Sequence, residues 1–168
     1  MIATRFLIRP RPYDHPDATR LVRALFDDQQ GRYGYADPFE ADPASYTPPH
    51  GLFLVGYLNT VPVTCGGYRT FDEHTRTIEI KKMYTVPRLR GLGLGERILT
   101  TLENHAAQSG AQRSILETGV RNTAALALYT GIGYQPAARY VNGRDPAINR
   151  AFIKELASST PSAQLPAR

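Results

Sequence analysis

The chain has 168 residues, of which 42% are hydrophobic and 21% charged, with a formal net charge of +5. These totals describe one soluble globular domain with room for a proper core. A single cysteine, Cys65, rules out an internal disulfide and fits a reducing cytoplasm. No charged-then-apolar leader and no apolar run near membrane-spanning length is visible, so no membrane partner is expected. The mild positive charge comes without a Lys/Arg block. It suits an anionic small ligand and leaves nucleic acid a secondary idea.

Phe6-Leu7-Ile8 reads as a first strand, stopped by Pro10 and Pro12. Ala18, Leu21, Val22, Leu25 and Phe26 keep helical spacing, with Pro16 near the helix start. Gly31 to Pro49 shows no clean period and reads as loop or short irregular helix. It contains Asp37, Glu40, Asp42, Tyr33 and Tyr35. Leu52 to Leu58 is a buried strand by its continuous apolar character. Asn59-Thr60 turns the chain, and Val61 to Arg69 returns as the second arm of a hairpin.

A polar turn over Asp72–Thr75 leads into a strand from Ile78 to Val86. Simple alternation puts Glu79, Lys81 and Met83 on one face of it, with Ile78, Ile80, Lys82 and Tyr84 on the other. Leu94, Ile98, Leu99, Leu102 and Ala106 then mark one face of a helix, and Gly110 stands where a left-handed C-terminal residue is needed. Arg113 to Glu117 is the next strand. Strand, helix, strand in this order predicts a right-handed crossover and a parallel pair. Asn122 caps a second such helix running to about Tyr129, ended by Gly131 and Gly133. Gln135–Val141 and Ala147–Leu156 read as a last hairpin with Asn142-Gly143 as its turn. The Ser/Pro/Ala-rich stretch from Ser158 to Arg168 reads as a disordered tail beyond a single domain of residues 1–157.

The chemistry concentrates between the Ile78–Val86 strand and the following helix, at Arg88-Leu89-Arg90-Gly91-Leu92-Gly93-Leu94-Gly95-Glu96. The first turn of a helix has N–H groups without intrahelical partners, and the macrodipole makes that end positive. Gly91, Gly93 and Gly95 let an anion approach the backbone, and Arg88 and Arg90 add charge. The stretch is a phosphate or pyrophosphate cradle in which Leu92 and Leu94 offer amides and pack inward. A Walker loop would need Gly-Lys-Ser/Thr where Gly95-Glu96 stands. The dinucleotide fingerprint fails because its third glycine position holds Glu96 or Ile98, although Glu117 lies where a ribose-binding acid would sit.

Arg90-Gly91-Leu92-Gly93-Leu94-Gly95 resembles the Arg/Gln-x-x-Gly-x-Gly/Ala signature of the GNAT superfamily of N-acetyltransferases. Glu79 to Pro87 before it is similar to that superfamily's fourth strand. After it, Leu116-Glu117-Thr118-Gly119, Asn122-Thr123-Ala124-Ala125-Leu126-Ala127-Leu128-Tyr129 and Gly133-Tyr134 resemble the next strand, helix and turn. The similarity is strong from about Ile78 to Tyr134 and extends more weakly back to Leu52.

The resemblance implies a mixed α/β fold of about seven strands and three or four helices. Its fourth strand carries a bulge and splays from the fifth, and the acyl thioester lies in the gap. It implies acetyl-CoA as cosubstrate, a small-molecule or peptide amine as acceptor, and direct transfer in a ternary complex. The pantetheine arm would pair along Met83, Tyr84 and Val86, and no metal is expected. A homodimer is common in the superfamily, though no interface is legible in the sequence.

Tyr129 is then the candidate general acid for the leaving thiolate, or else an ordinary core tyrosine. Asn122 is a coenzyme contact or simply a cap. Glu79 is the candidate general base, or a strand-entry carboxylate paired with a neighbour such as Lys81; Glu117 is the second choice of base. Asp37, Glu40, Asp42, Tyr33 and Tyr35 suit the lip of a site for a cationic acceptor, or a solvated loop. Cys65, beside Gly66-Gly67 in an apolar strand, is expected to be inert, and His15, His50, His74 and His105 show no metal-ligand spacing. Two other classes stay open: a non-catalytic acyl-CoA sensor on the same fold, and a nucleotide-binding domain using the glycine loop.

Overall fold

A computed structural model describes residues 4–157; the C-terminal tail expected over 158–168 lies outside the described residues. Seven strands form one sheet: β1 (Phe6–Pro10), β2 (Gly51–Leu58), β3 (Val61–Asp72), β4 (Thr77–Thr85), β5 (Arg113–Gly119), β6 (Gln135–Ala137) and β7 (Asn149–Glu155). Their spatial order is β1-β2-β3-β4-β5-β7-β6. All neighbours are antiparallel except β4 and β5. The three α-helices are α1 (Pro16–Tyr33), α2 (Leu94–Gln108) and α3 (Thr123–Gly131).

The period-2 geometry of β2 explains its unbroken apolar run, because both of its faces are buried. Phe53 and Val55 join Ala18, Leu21 and Val22 of α1 in one core. Leu52 and Leu54 join Ile98, Leu99 and Leu102 of α2 in the other. The sheet therefore carries α1 on one face and α2 with α3 on the opposite face.

α1 is longer than the spacing predicts. It runs through Gly31 to Tyr33 and ends on Gly34, whose φ of 75° supplies the left-handed cap. Its polar last turn is tied by an Asp28–Arg32 ion pair at 3.2 Å, a local support that apolar periodicity does not register. The final hairpin differs the other way. β6 is only three residues long, and residues 138–148 form a wide loop. Asp145 holds that loop's end, its Oδ1 accepting from the Ala147 N–H and its carbonyl from the N–H groups of Ile148 and Asn149. Strand pairing is given up for these local bonds.

The pairing of β4 decides the geometry of the site. Toward β5 it pairs only at Thr77, Ile78 and Glu79, with Arg113, Ser114 and Ile115. Beyond that point the strands separate, leaving the β5-facing backbone of residues 80–85 without a strand partner. Toward β3 the register slips: Tyr84 lies opposite Cys65 and Lys81 opposite Gly67, so Lys82 and Met83 face the single residue Gly66. Lys82 takes a φ of 62° at this bulge.

The slip reverses the alternation predicted for the second half of the strand. Met83 joins Ile78 and Ile80 against the α2 core, while Tyr84 turns to the α1 core. Lys81 and Lys82, neighbours in sequence, both line one cavity. Gly66 makes room for this, since a Cβ there would collide with Met83 Sδ and lie 3.0 Å from Ile98 Cγ2.

Candidate active site

Two cavities meet at the gap between β4 and β5. The larger, about 450 Å³, runs along Met83, Tyr84 and Thr85, past the glycine loop and the start of α2, to the first turn of α3. The smaller, about 100 Å³, is lined by the end of α1, residues 35–37, the bulge lysines, the end of β5 and Arg144. Leu25, Asp28, Arg32, Met83, Asn122 and Tyr129 line both.

One end of the larger cleft has the features that suit an anion. Gly91 and Gly93 take φ values of 80° and 79°, and Gly93 is the N-cap of α2. The first intrahelical bond there is from Arg97 N–H to the Gly93 carbonyl at 3.1 Å, so the amides before it face outward unpaired. Gly91, Gly93, Leu94, Gly95 and Glu96 all line the cleft. A Cβ at Gly95 would meet nothing nearer than 3.7 Å. Its bare Cα is therefore of use to an approaching ligand rather than required by packing.

Arg90 lines the cleft, its Nε donating to the Thr85 carbonyl at 2.9 Å and its guanidinium 5.5 Å from the Tyr84 ring centroid. Arg88 is exposed and Val86 packs with the α1-side core, so neither joins the lining. Leu92 does not pack inward as expected; it is 66% exposed, whereas Leu94 is buried. As the residue between two left-handed glycines, Leu92 is turned away from the helix face that Leu94 begins. Arg32 and Arg121 complete the basic lining. Arg32 comes from a helix end that the periodicity misses. Arg121 stands beside the Asn122 cap, where it carries no motif of its own.

The donor set and shape of this cleft fit an acyl-CoA. Unpaired amides, a helix N-terminus and arginines suit a pyrophosphate. The unpaired edge of β4 suits an arm carrying amide groups.

Tyr129 is buried, with its ring edge-on to Tyr134 at 5.7 Å. Burial pushes its phenol well above the ordinary range and keeps it protonated. Asn122 is the N-cap of α3, its Oδ1 accepting from Ala125 N–H at 3.2 Å; it is a cap and a wall of both cavities at once.

Glu79 lies apart from both cavities. It is 2% exposed. Arg69 donates to its Oε1 from Nε at 3.0 Å and approaches it with Nη2 at 2.9 Å, and Tyr140 Oη donates to its Oε2 at 2.8 Å. Both carboxylate oxygens are thus committed to neighbours.

Glu117 is the opposite case. Its side chain is 4% exposed and lines the smaller cavity. Neither carboxylate oxygen has a hydrogen-bond partner among the described residues, and Arg144 Nε stands 3.4 Å from Oε2 without bond geometry. A buried carboxylate without donors costs several kcal/mol unless a ligand completes it.

Of the candidate lip residues, Tyr33, Tyr35 and Asp37 line this cavity. Asp42 instead caps the turn at Pro43–Tyr46, and Glu40 is outside the lining. Arg144 of the 138–148 loop holds Asp37 Oδ1 at 2.7 Å, and Lys81 approaches Asp37 Oδ2 at 3.4 Å. Although burial opposes it, these cations hold the Asp37 carboxyl below its usual range. The sequence gives no signal for Arg144, which lies in a loop without a period.

Cys65 is fully buried and donates to the Lys82 carbonyl at 3.3 Å; burial raises its thiol far above the reactive range. Among the described residues, no group of three His, Cys, Asp or Glu side chains could hold a metal ion. His15 caps α1 and His105 shares a 2.8 Å hydrogen bond with Tyr68 Oη.

A mixed sheet whose central strands part beside a glycine-rich helix start defines an acyltransferase class of fold. The model of the acetyltransferase (GNAT) family matches residues 19–134, and the chain belongs to that family. It is 30% identical over 129 residues to the uncharacterized N-acetyltransferase YjgM of Escherichia coli, covering 73% of this chain and 77% of that protein. It is 34% identical over 86 residues to an IAA acetyltransferase of Azospirillum brasilense, covering 51% of this chain and 56% of the relative. The chain thus spans little more than half of that relative's length. Among solved structures, a Klebsiella pneumoniae protein assigned as an acyl-CoA N-acyltransferase superposes with a TM-score of 0.75 at 27% identity. That match covers 90% of this chain and 98% of that one. Among the described residues no helix is long and apolar enough to cross a membrane.

Proposed function

We propose that the protein moves an acetyl group from acetyl-CoA to a primary amine, by direct attack within a ternary complex. The observation that carries the reading is the junction of the two cavities at Met83, Asn122 and Tyr129. A cleft suited to anions enters from one side, and a smaller recess whose Glu117 carboxylate accepts no hydrogen bond enters from the other. Acetyl-CoA supplies the activated acyl carbon when bound. The unpaired amides of Gly93 to Glu96, with Arg90, Arg121 and Arg32, bind its pyrophosphate. The free backbone edge of β4 at Met83 and Tyr84 orients the arm and offers an N–H to the thioester carbonyl.

Glu117 accepts the proton that the attacking nitrogen must lose. As the N–C bond forms and the C–S bond breaks, Tyr129 donates its phenolic proton to the departing sulfur. Glu79, held by Arg69 and Tyr140, braces the end of the β4–β5 pairing. A reducing, cytoplasmic setting belongs to this reading on the strength of the single cysteine.

Thermal unfolding of the purified chain with acetyl-CoA, and separately with NAD, tests the cleft. A ligand at about 100 times its dissociation constant stabilises by about 2.7 kcal/mol, a shift of several degrees. A shift with acetyl-CoA alone, abolished in Gly93→Val, is the expected result. An unmoved melting temperature with acetyl-CoA would remove the reading.

A further inference from the structure

The smaller cavity has a charge pattern that a simple amine does not satisfy. Asp37 is matched by Lys81 and Arg144. Two groups are less well matched. One is the Glu117 carboxylate, buried without a hydrogen bond and faced at 3.4 Å by the Nε of Arg144, a guanidinium already bound to Asp37. The other is the Lys82 ammonium, whose Nζ donates to the Pro38 carbonyl at 2.6 Å and has no carboxylate within ion-pair distance among the described residues. The bulge at φ 62° turns Lys82 into the cavity beside Lys81.

Burial, with Lys81, Arg69 and Arg144 adding repulsion against the pull of Asp37, lowers the Lys82 ammonium to about 8. A partly buried ammonium without a counter-charge is costly, and a ligand anion relieves that cost. The Tyr33 hydroxyl, also buried without a partner and packed against Gly119, adds a free hydrogen-bonding group to the same wall. A recess of about 100 Å³, which meets the larger cleft at Met83, Asn122 and Tyr129, favours a compact acceptor.

We propose that the acceptor is a compact zwitterion, a free α-amino acid or an amino-carboxylate of similar size, with its amino group on Glu117 and its carboxylate on Lys82 and the Tyr33 hydroxyl. This rests on the acetyl-transfer reading of the same site and narrows it. Lys82 becomes the residue that selects the acceptor, and the β4 bulge is what brings it there. The carboxylate end fixes the orientation of the nitrogen, so an acceptor lacking it loses both affinity and alignment.

The test measures CoA release by the full chain at saturating acetyl-CoA, from free L-amino acids, their amides and the matching decarboxylated amines. The expected result is kcat/KM at least tenfold higher for an amino acid than for its own amide. Lys82→Met should raise KM for that amino acid about tenfold and bring the acid-to-amide ratio toward one, while Lys82→Arg keeps the preference. Unfolding curves of both variants show that the fold is retained. Amides or decarboxylated amines turned over as well as the acids would overturn the zwitterion and leave acetyl transfer standing. Acetyl-CoA stabilisation with no CoA release from any amino acid would overturn it as well. No release from any amine together with no stabilisation by acetyl-CoA would remove both readings.

Discussion

Glu117→Gln is the sharpest perturbation of the site. The swap keeps the shape of a side chain that is 4% exposed and leaves Arg144 paired to Asp37 at 2.7 Å. What it removes is a carboxylate lining the cavity that, among the described residues, accepts no hydrogen bond. The variant must then wait for the neutral fraction of the amine. At pH 7 that fraction is roughly 1 in 2,500 for an alkylammonium of pKa ~10.4, and roughly 1 in 10 for an α-amino group near ~8. The expected loss in kcat lies between about tenfold and about 2,500-fold, or about 1.4 to 4.6 kcal/mol, and its size reports the basicity of the acceptor. The assay is CoA release at saturating acetyl-CoA from pH 6.5 to 10. The variant's rate should climb about tenfold per pH unit up to the amine's own pKa, while the wild type levels off earlier. A loss under threefold at pH 7, or superimposable pH profiles, would refute the role of Glu117.

Tyr129→Phe keeps the edge-on contact with Tyr134 and should lower kcat by about 10²–10⁴ with acetyl-CoA affinity intact; an unchanged kcat removes the general acid. Gly66→Ala drives a methyl into Met83 Sδ and should cost about 1–3 kcal/mol of stability while raising KM for acetyl-CoA; wild-type values in both would mean that Met83 does not wall the junction. Lys82 titrates at about 8 in the fold against an ordinary 10.5. The unfolded chain therefore binds the extra proton between those values, and native stability rises with pH there. The cost of the buried ammonium is full below pH 8 and gone above 10.5. Relative to Lys82→Met, the wild type should gain melting temperature from pH 8 to 10.5, and a constant gap would contradict the burial.

The core and the donor cleft were legible because local pattern writes them. Leu94, Ile98, Leu99, Leu102 and Ala106 all lie on the buried face of α2, and Gly93 and Gly95 at its start line the larger cleft. The acceptor side was less legible, because it is assembled by pairs distant in sequence. Asp37 meets Arg144 across 107 positions. Lys82 reaches the cavity only through a register slip that alternation cannot foresee. Glu79 and Glu117 look alike as carboxylates at strand positions. They differ in neighbours, since one is hydrogen-bonded by Arg69 and Tyr140 and the other accepts no hydrogen bond, with Arg144 Nε 3.4 Å away. The helix extension past Gly31 was hidden because polar residues and a C-terminal cap, rather than an apolar stripe, carry the last turn of α1.

The tie between Asp37 and Arg144 has a consequence for how such a protein can diverge. Each residue comes from a connecting segment, one after α1 and one between β6 and β7, and together they wall the smaller cavity. The donor cleft draws instead on β4, the glycine turn and α3. Insertions in either connecting segment can therefore remodel what enters the smaller cavity without disturbing the glycine-rich start of α2. The charge of each segment constrains the other. A lineage that loses the aspartate leaves the guanidinium to Glu117, 3.4 Å away, and takes from Lys81 its ion-pair partner, so the charge balance of the cavity shifts toward positive.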